Sequence, residues 1–251
     1  IMIEAKNLTK NFGEVRAIDD VSFKVEAGTV VGFLGPNGAG KSTTIRLLAG
    51  YLQADQGTAE ICGYDISAES LAAKSCFGYL PEAAAGFSHL TVREFLSFSG
   101  ESRGLFGHAL ADAVDNTCER VELRPVLDQH IKELSKGWRQ RAWLAQAILH
   151  DPPVLILDEP TDGLDPNQKD LVNALIRSEA ANKAIILSTH NLEEVKEICN
   201  RVIMIANGRI VADDKPYNLA DSDGSLSSSF RQLAGGSSPQ GDILVNRDGL
   251  E

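Results

Sequence analysis

The apolar run Val30-Val31-Gly32-Phe33-Leu34 passes directly into Gly35-Pro36-Asn37-Gly38-Ala39-Gly40-Lys41-Ser42-Thr43, after which Ile45 and Leu48 share one helical face. A short buried-type strand closed by a glycine-rich loop and followed by helical periodicity belongs to an α/β core. The loop has the spacing G-x-x-x-x-G-K-[ST]. Its glycines let backbone amides turn inward around phosphate oxygens, and the start of the following helix adds partial positive charge. Lys41 is expected to reach the β- and γ-phosphates, and Ser42 to ligate Mg²⁺. Chance yields such a run in about 1% of chains of this size. The segment from Gly35 to Thr43 is therefore expected to hold a nucleoside triphosphate.

A second segment completes that site. Val154-Leu155-Ile156-Leu157 is an apolar strand ending in Asp158-Glu159, which sets a carboxylate at the carboxyl edge of a sheet, beside the loop. Asp158 is expected to hold Mg²⁺ through water. With one acid on the metal, Glu159 is left to polarise water, which favours hydrolysis over binding alone.

The remaining pattern is organised around these two segments. Ile3 to Val25 alternates apolar and polar residues, predicting two or three half-buried strands, with further strands at Thr58–Ile61 and Cys76–Leu80. From about Glu82 to His150 strand signals give way to helical ones, with Thr91-Val92-Arg93-Glu94 forming a capping box. Strands and helices then alternate to Ala206, predicting crossover connections and a largely parallel sheet. Asn207-Gly208 predicts a hairpin. Ser225–Leu233 suits one short helix, and the Gly/Ser-rich stretch from Gly235 onward suits a flexible tail.

Composition narrows the partners. The formal charge of −11 is opposite in sign to that of a domain gripping duplex phosphates, so nucleic acid is not an expected partner. No apolar run approaches the roughly 20 residues of a membrane span. The first residues lack a secretory pattern, and the four separated cysteines form neither a zinc motif nor a disulfide framework, as suits a reducing cytosol.

Four further segments carry a resemblance. Leu134-Ser135-Lys136-Gly137-Trp138 is similar to the signature motif of ATP-binding-cassette (ABC) ATPases, commonly LSGGQ. Asp158 through Asp165 resembles their Walker B strand end and D-loop, Ser188-Thr189-His190 their switch histidine, and Asn11-Phe12-Gly13 the aromatic loop that stacks on adenine. All stand in the family's order, and the resemblance spans about Ile3 to Lys215. It implies an α/β fold: a P-loop NTPase core with a mixed, largely parallel sheet, an N-terminal antiparallel β subdomain and an inserted helical subdomain at about 82–150. One ABC ATPase domain over 1–234 and a tail at 235–251 follow.

The resemblance also implies roles. Two cassettes associate head to tail, a homodimer being the simplest arrangement, with ATP between one phosphate loop and the partner's signature. Ser135 and Gly137 then face the other subunit's γ-phosphate. Glu159 is the general base or the water-orienting carboxylate, His190 reports the γ-phosphate, and Asp165 couples the sites across the interface. Phe12 is either the adenine-stacking ring or a core aromatic. Trp143 is expected in the core and Trp138 near the signature, while the other four histidines, His150 among them, are expected to be surface or structural.

Where the family has a glutamine entering the helical subdomain, this chain has Glu82. Glu offers an acceptor oxygen but no amide donor, so Glu82 is either a Mg²⁺ ligand or a surface acid. Gly163 stands in place of the commoner Ser or Ala. Tyr79-Leu80-Pro81-Glu82 with Lys136 and Trp138 resembles the branch serving ABC-2-type exporters and gliding-type systems. The implied function is ATP hydrolysis powering a separate membrane-spanning permease from the cytoplasmic face of the membrane. The aromatic stretch Gly86–Phe98 is either the permease docking groove or internal core. A soluble ABC-type ATPase is the alternative. A P-loop kinase or GTPase is disfavoured because no N-K-x-D follows the loop and the signature and His190 would go unexplained.

Overall fold

The computed structural model describes residues 1–220. The chain begins β1 (Ile3–Phe12), β2 (Val15–Val25), β3 (Val30–Leu34), α1 (Lys41–Leu48), β4 (Gln56–Ile61), β5 (Tyr64–Asp65), α2 (Ser70–Ser75) and β6 (Phe77–Leu80). A helical stretch follows, with α3 (Val92–Ser102), α4 (Gly107–Arg120) and α5 (Lys136–Ile148). The order closes with β7 (Val154–Asp158), α6 (Pro166–Glu179), β8 (Ala184–Thr189), α7 (Leu192–Ile198), β9 (Arg201–Ala206), β10 (Arg209–Asp214) and α8 (Pro216–Leu219).

Two sheets result. The strands β2-β1-β4-β5 form an antiparallel sheet, and β10-β9-β3-β8-β7-β6 a mixed, largely parallel one in which only β10 runs against its neighbour. In register, Leu34 lies opposite Thr189, and Asp158 opposite Ser188. The carboxyl ends of β3, β7 and β8 thus open on one edge of the sheet. Everything that follows these strands, including the glycine loop, the acid pair and His190, is delivered there by topology alone.

Every residue of β3, β7 and β8 is buried, which is why these segments read as continuous apolar runs rather than alternations. Alternation reappears in space. Leu155, Leu157, Ile185 and Leu187 face a core shared with Phe95, Leu96, Leu144 and Ile176. Val154, Ile156 and Ile186 face the opposite one, with Ile45 and Leu48 of α1 and Ile3, Val21 and Phe23 of the antiparallel sheet. Successive side chains on a strand point to opposite faces, so one strand seeds two cores.

Local signals worked where they had a mechanism. The Thr91 hydroxyl accepts from the Glu94 amide at 3.2 Å while the Glu94 carboxylate accepts from the Thr91 amide at 2.8 Å, opening α3. Asn207 and Gly208 both take positive φ, 49° and 75°, joining β9 to β10. Three elements were not anticipated. β5 has two residues, α2 has six with Ala73 alone buried, and α8 has four with none buried, so none shows a periodic stripe. Phe95 and the half-buried Trp143 pack together with ring centroids 5.2 Å apart, whereas Phe98 stands exposed. The Ser225–Leu233 helix and the tail from Gly235 lie outside the described residues.

Candidate functional site

The phosphate loop is closed by its own backbone. Gly35 sits where a Cβ would meet the Ile205 carbonyl oxygen at 2.5 Å, and Gly40, at φ 110°, would carry one at 2.8 Å from the Ala17 carbonyl. Strand β2 and the β9–β10 hairpin therefore clasp the loop at points only glycine allows. Ala39 is buried beneath it, and its carbonyl accepts from the Gly208 amide at 3.0 Å. Pro36, Asn37 and Gly38 are exposed along its rim. Helix α1 starts at Lys41, so its first amides open toward the loop's hollow.

Lys41 is only 6% exposed, and its ammonium donates to the carbonyls of Gly35 at 2.7 Å and Pro36 at 3.3 Å. Burial pulls its pKa below the usual lysine value, against the opposing charges of Glu159, Asp158 and Glu82. A cavity of about 300 Å³ is lined by Ala17, Asn37, Gly38, Gly40, Lys41, Ser42, Thr43, Glu82 and Glu159.

Asp158 is fully buried at the end of β7. Its Oδ1 accepts from the Ser188 hydroxyl at 2.5 Å and from the Ser42 hydroxyl at 3.3 Å, while its Oδ2 has no partner among the described residues. Burial pushes its pKa up. An orphaned buried carboxylate oxygen beside a hydroxyl is a donor set suited to a hard cation. No group of three or more His, Cys, Asp or Glu suited to a metal occurs among the described residues, so a cation at Asp158 would need further ligands from outside these side chains.

Glu159 adopts φ 49°, the left-handed region that a non-glycine residue occupies only when held there. The holding contacts are explicit: its amide donates to the Ser188 carbonyl at 3.2 Å and the Ser188 hydroxyl at 3.0 Å. The turn aims the Glu159 carboxylate at His190, whose Nδ1 lies 3.1 Å from Oε2. Burial raises the Glu159 pKa, and the contact with His190 counters it. The His190 side chain is 61% exposed, poised over the edge. Glu82 lines the same cavity, and its carboxylate is 4.0 Å from Arg46.

Other candidates lie outside the cavity. Phe12 is 48% exposed at the tip of the β1–β2 hairpin, with Lys10 5.8 Å from its ring centre; it is not a core aromatic. Ser135 caps α5, accepting from the Trp138 amide at 3.4 Å, and Asp165 caps α6, accepting from the Gln168 amide at 3.0 Å. Lys136 pairs with Asp162 at 2.9 Å. Gly137 is buried, and a Cβ there would meet the amide end of the Gln168 side chain. Trp138 packs beneath the Arg141 guanidinium, 3.7 Å from the ring centre. His150 is structural, with both ring nitrogens shut away from solvent.

Sequence reasoning passed over Ser188 as a site residue, and with it Thr161, Thr189 and Glu194. Ser188 holds both acids at once. Its position, directly across the parallel register from Asp158, becomes visible only after strands are paired. A lone hydroxyl carries no periodic signal of its own.

Comparison with known proteins gives the family. The family model for ABC transporters matches residues 18–162. The chain is 37% identical over 222 residues to Nod factor export ATP-binding protein I of Burkholderia lata, covering 88% of this chain and 73% of the relative. It has the same identity to the protein of that name from Sinorhizobium fredii, covering 88% and 65%. An ATP binding subunit of an ABC transporter superposes with a TM-score of 0.85 at 28% identity, covering 93% of this chain and 99% of that one. The dimeric bacterial ABC transporter cassette MJ0796 shares the fold at a TM-score of 0.79 and 22% identity, covering 85% and 98%. With its glycine loop, buried aspartate and adjoining Glu159–His190 pair, the chain belongs to the ABC transporter family.

Proposed function

We propose that this chain is the ATP-hydrolysing subunit of an ABC exporter, working as a pair of cassettes at the cytoplasmic face of a membrane and driving a separate permease. One observation carries the catalytic part: the Glu159 carboxylate, hydrogen-bonded to His190, lines the cavity that also holds Lys41 and Ser42. The triphosphate lies in the Gly35–Thr43 loop, its charge met by Lys41 and by the first amides of α1. Binding draws the Lys41 ammonium off the Gly35 and Pro36 carbonyls onto phosphate oxygens. Ser42 and Asp158, with Glu82 at the rim, would hold Mg²⁺, which would supply positive charge against the triphosphate. Glu159 orients a water and takes its proton as the oxygen bonds to the γ-phosphorus and the bond to the β-phosphate breaks, leaving ADP and phosphate. His190 contacts the γ-phosphoryl group and fixes Glu159.

Ser135, Gly137 and Asp165 serve the neighbouring cassette's nucleotide. They lie outside this chain's own cavity, and Ser135 marks the exposed start of α5. Phe12, exposed at a hairpin tip, stacks on the base. The export reading draws on the names of the relatives. It also draws on Phe87 and Phe98, exposed against the buried Phe95 and offering an apolar face for a permease helix. No helix of the described residues is long and apolar enough to cross a membrane.

Glu159→Gln tests the assignment. It should retain ATP affinity, lose at least about 100-fold in turnover and accumulate an ATP-loaded dimer. Turnover at the wild-type rate would refute it.

A further inference from the structure

The geometry points to Glu194 as a positioning residue that sets the Glu159–His190 pair, an inference that rests on the catalytic reading of those two side chains. Glu194 is 5% exposed, in the first turn of α7, and pairs with no Lys, Arg or His among the described residues. A buried carboxylate without a counter-charge is retained only where it makes strong hydrogen bonds. Glu194 makes two. Its Oε1 accepts from the Thr161 hydroxyl at 2.7 Å, and its Oε2 from the Thr189 hydroxyl at 2.6 Å.

The two threonines stand at decisive places. Thr161 is two residues beyond Glu159, on the turn whose backbone begins at positive φ. Thr189 immediately precedes His190, and its hydroxyl also accepts from the Asn191 amide at 3.0 Å. With the 3.1 Å contact between His190 and Glu159, a closed ring results. It runs from Glu159 along the chain to Thr161, across Glu194 to Thr189, along the chain to His190 and back to Glu159. Within this ring Glu194 is the one member that touches both catalytic loops without belonging to either. Removing it frees the Thr161 and Thr189 hydroxyls together and leaves the two loops joined at Ser188 and the His190 contact alone, a looser hold that misplaces the base relative to the water it orients.

A loss of alignment lowers kcat and leaves nucleotide binding in place, because the phosphate loop shares no member with the ring. Glu194→Ala should lower kcat by about 100-fold, the order expected for a displacement near 1 Å, with KM and ATP affinity within a factor of three. Glu194→Gln, which keeps one acceptor oxygen, should recover part of the rate. Thr161→Val and Thr189→Val, near-isosteric and leaving Glu194 in place, should each lower kcat by about 10-fold. Their effects should largely vanish in the Glu194→Ala background. If Glu194→Ala fails to fold, the two valine variants decide. Unchanged kcat in folded variants, a loss carried by KM, or effects that simply multiply would overturn the role. Glu159→Gln separates the two levels. Wild-type turnover in that variant removes the catalytic reading, whereas an inactive Glu159→Gln beside fully active threonine variants removes only this inference.

Discussion

Ser42 and Asp158 stand 116 residues apart in the chain, yet their Oγ and Oδ1 atoms meet at 3.3 Å, and the second Asp158 oxygen is buried without a partner. That pairing joins the helix after β3 to the end of β7. Asp158→Asn removes the charge but keeps the shape. Turnover should fall by at least about 100-fold, and the Mg²⁺ concentration for half-maximal rate should rise. Thermal stability without nucleotide should hold or improve, because a buried carboxylate whose pKa is already raised is replaced by a neutral group. A Mg²⁺ titration of turnover beside a melting curve checks both halves.

Lys41→Ala should weaken ATP binding and abolish hydrolysis, since no other ammonium among the described residues lines the cavity. Fluorescent-nucleotide titration measures the first effect. If the signature serves the neighbouring cassette, mixing Lys41→Ala with Ser135→Arg should restore at most one working site per heterodimer. A mixture shown to dimerise but wholly inactive would count against sharing.

Gly163 sits at φ 66°, and a Cβ there would overlap the Lys136 side chain, which crosses the turn to reach Asp162 at 2.9 Å. Lys136 and Asp162 are both about half exposed, so the ion pair itself contributes at most about 1 kcal/mol. Lys136→Ala should therefore lower Tm by no more than about 4 °C. Gly163→Ala should cost more, roughly 1–2 kcal/mol from backbone strain and crowding together. Part of that loss should disappear in the Lys136→Ala background, where the crowding is gone. A double-mutant cycle of urea midpoints reads the difference.

These cases show what the sequence could reveal. The loop around Lys41 and the strand ending in Asp158 were legible because each couples a composition to one local geometry. The hairpin at Asn207-Gly208 was legible because two consecutive positive φ values demand such residues. The parallel register that sets Ser188 against Asp158 was not, since identical apolar runs pair equally well on paper. Nor was the Thr161–Glu194–Thr189 bridge, whose members show neither period nor motif until α7 is packed. The Phe98 ring could not be assigned to core or surface, because a capping box fixes where a helix begins and leaves its facing to tertiary packing. His150 carried no sign that burial would hold its ring uncharged.

That histidine gives the last expectation. Burial, reinforced by the Arg103 charge, lowers the His150 pKa to about 4, against about 6.5 in an unfolded chain. Between these values the unfolded chain takes up a proton that the folded one refuses. The stability tied to neutral His150 is thus complete above pH 6.5 and shrinks as pH falls toward 4, amounting to about 2 kcal/mol lost at pH 5. Asp158 and Glu159 act in the opposite sense. Burial raises both, so each favours the folded state as pH drops through the window just above the ordinary carboxylate range. His150→Gln cannot titrate and keeps both acids, so their contribution cancels in a comparison with the unaltered chain. From pH 7 to pH 5 the urea midpoint should therefore fall further, or rise less, for wild type than for His150→Gln, and equal changes would show that the ring titrates as freely when folded as when unfolded.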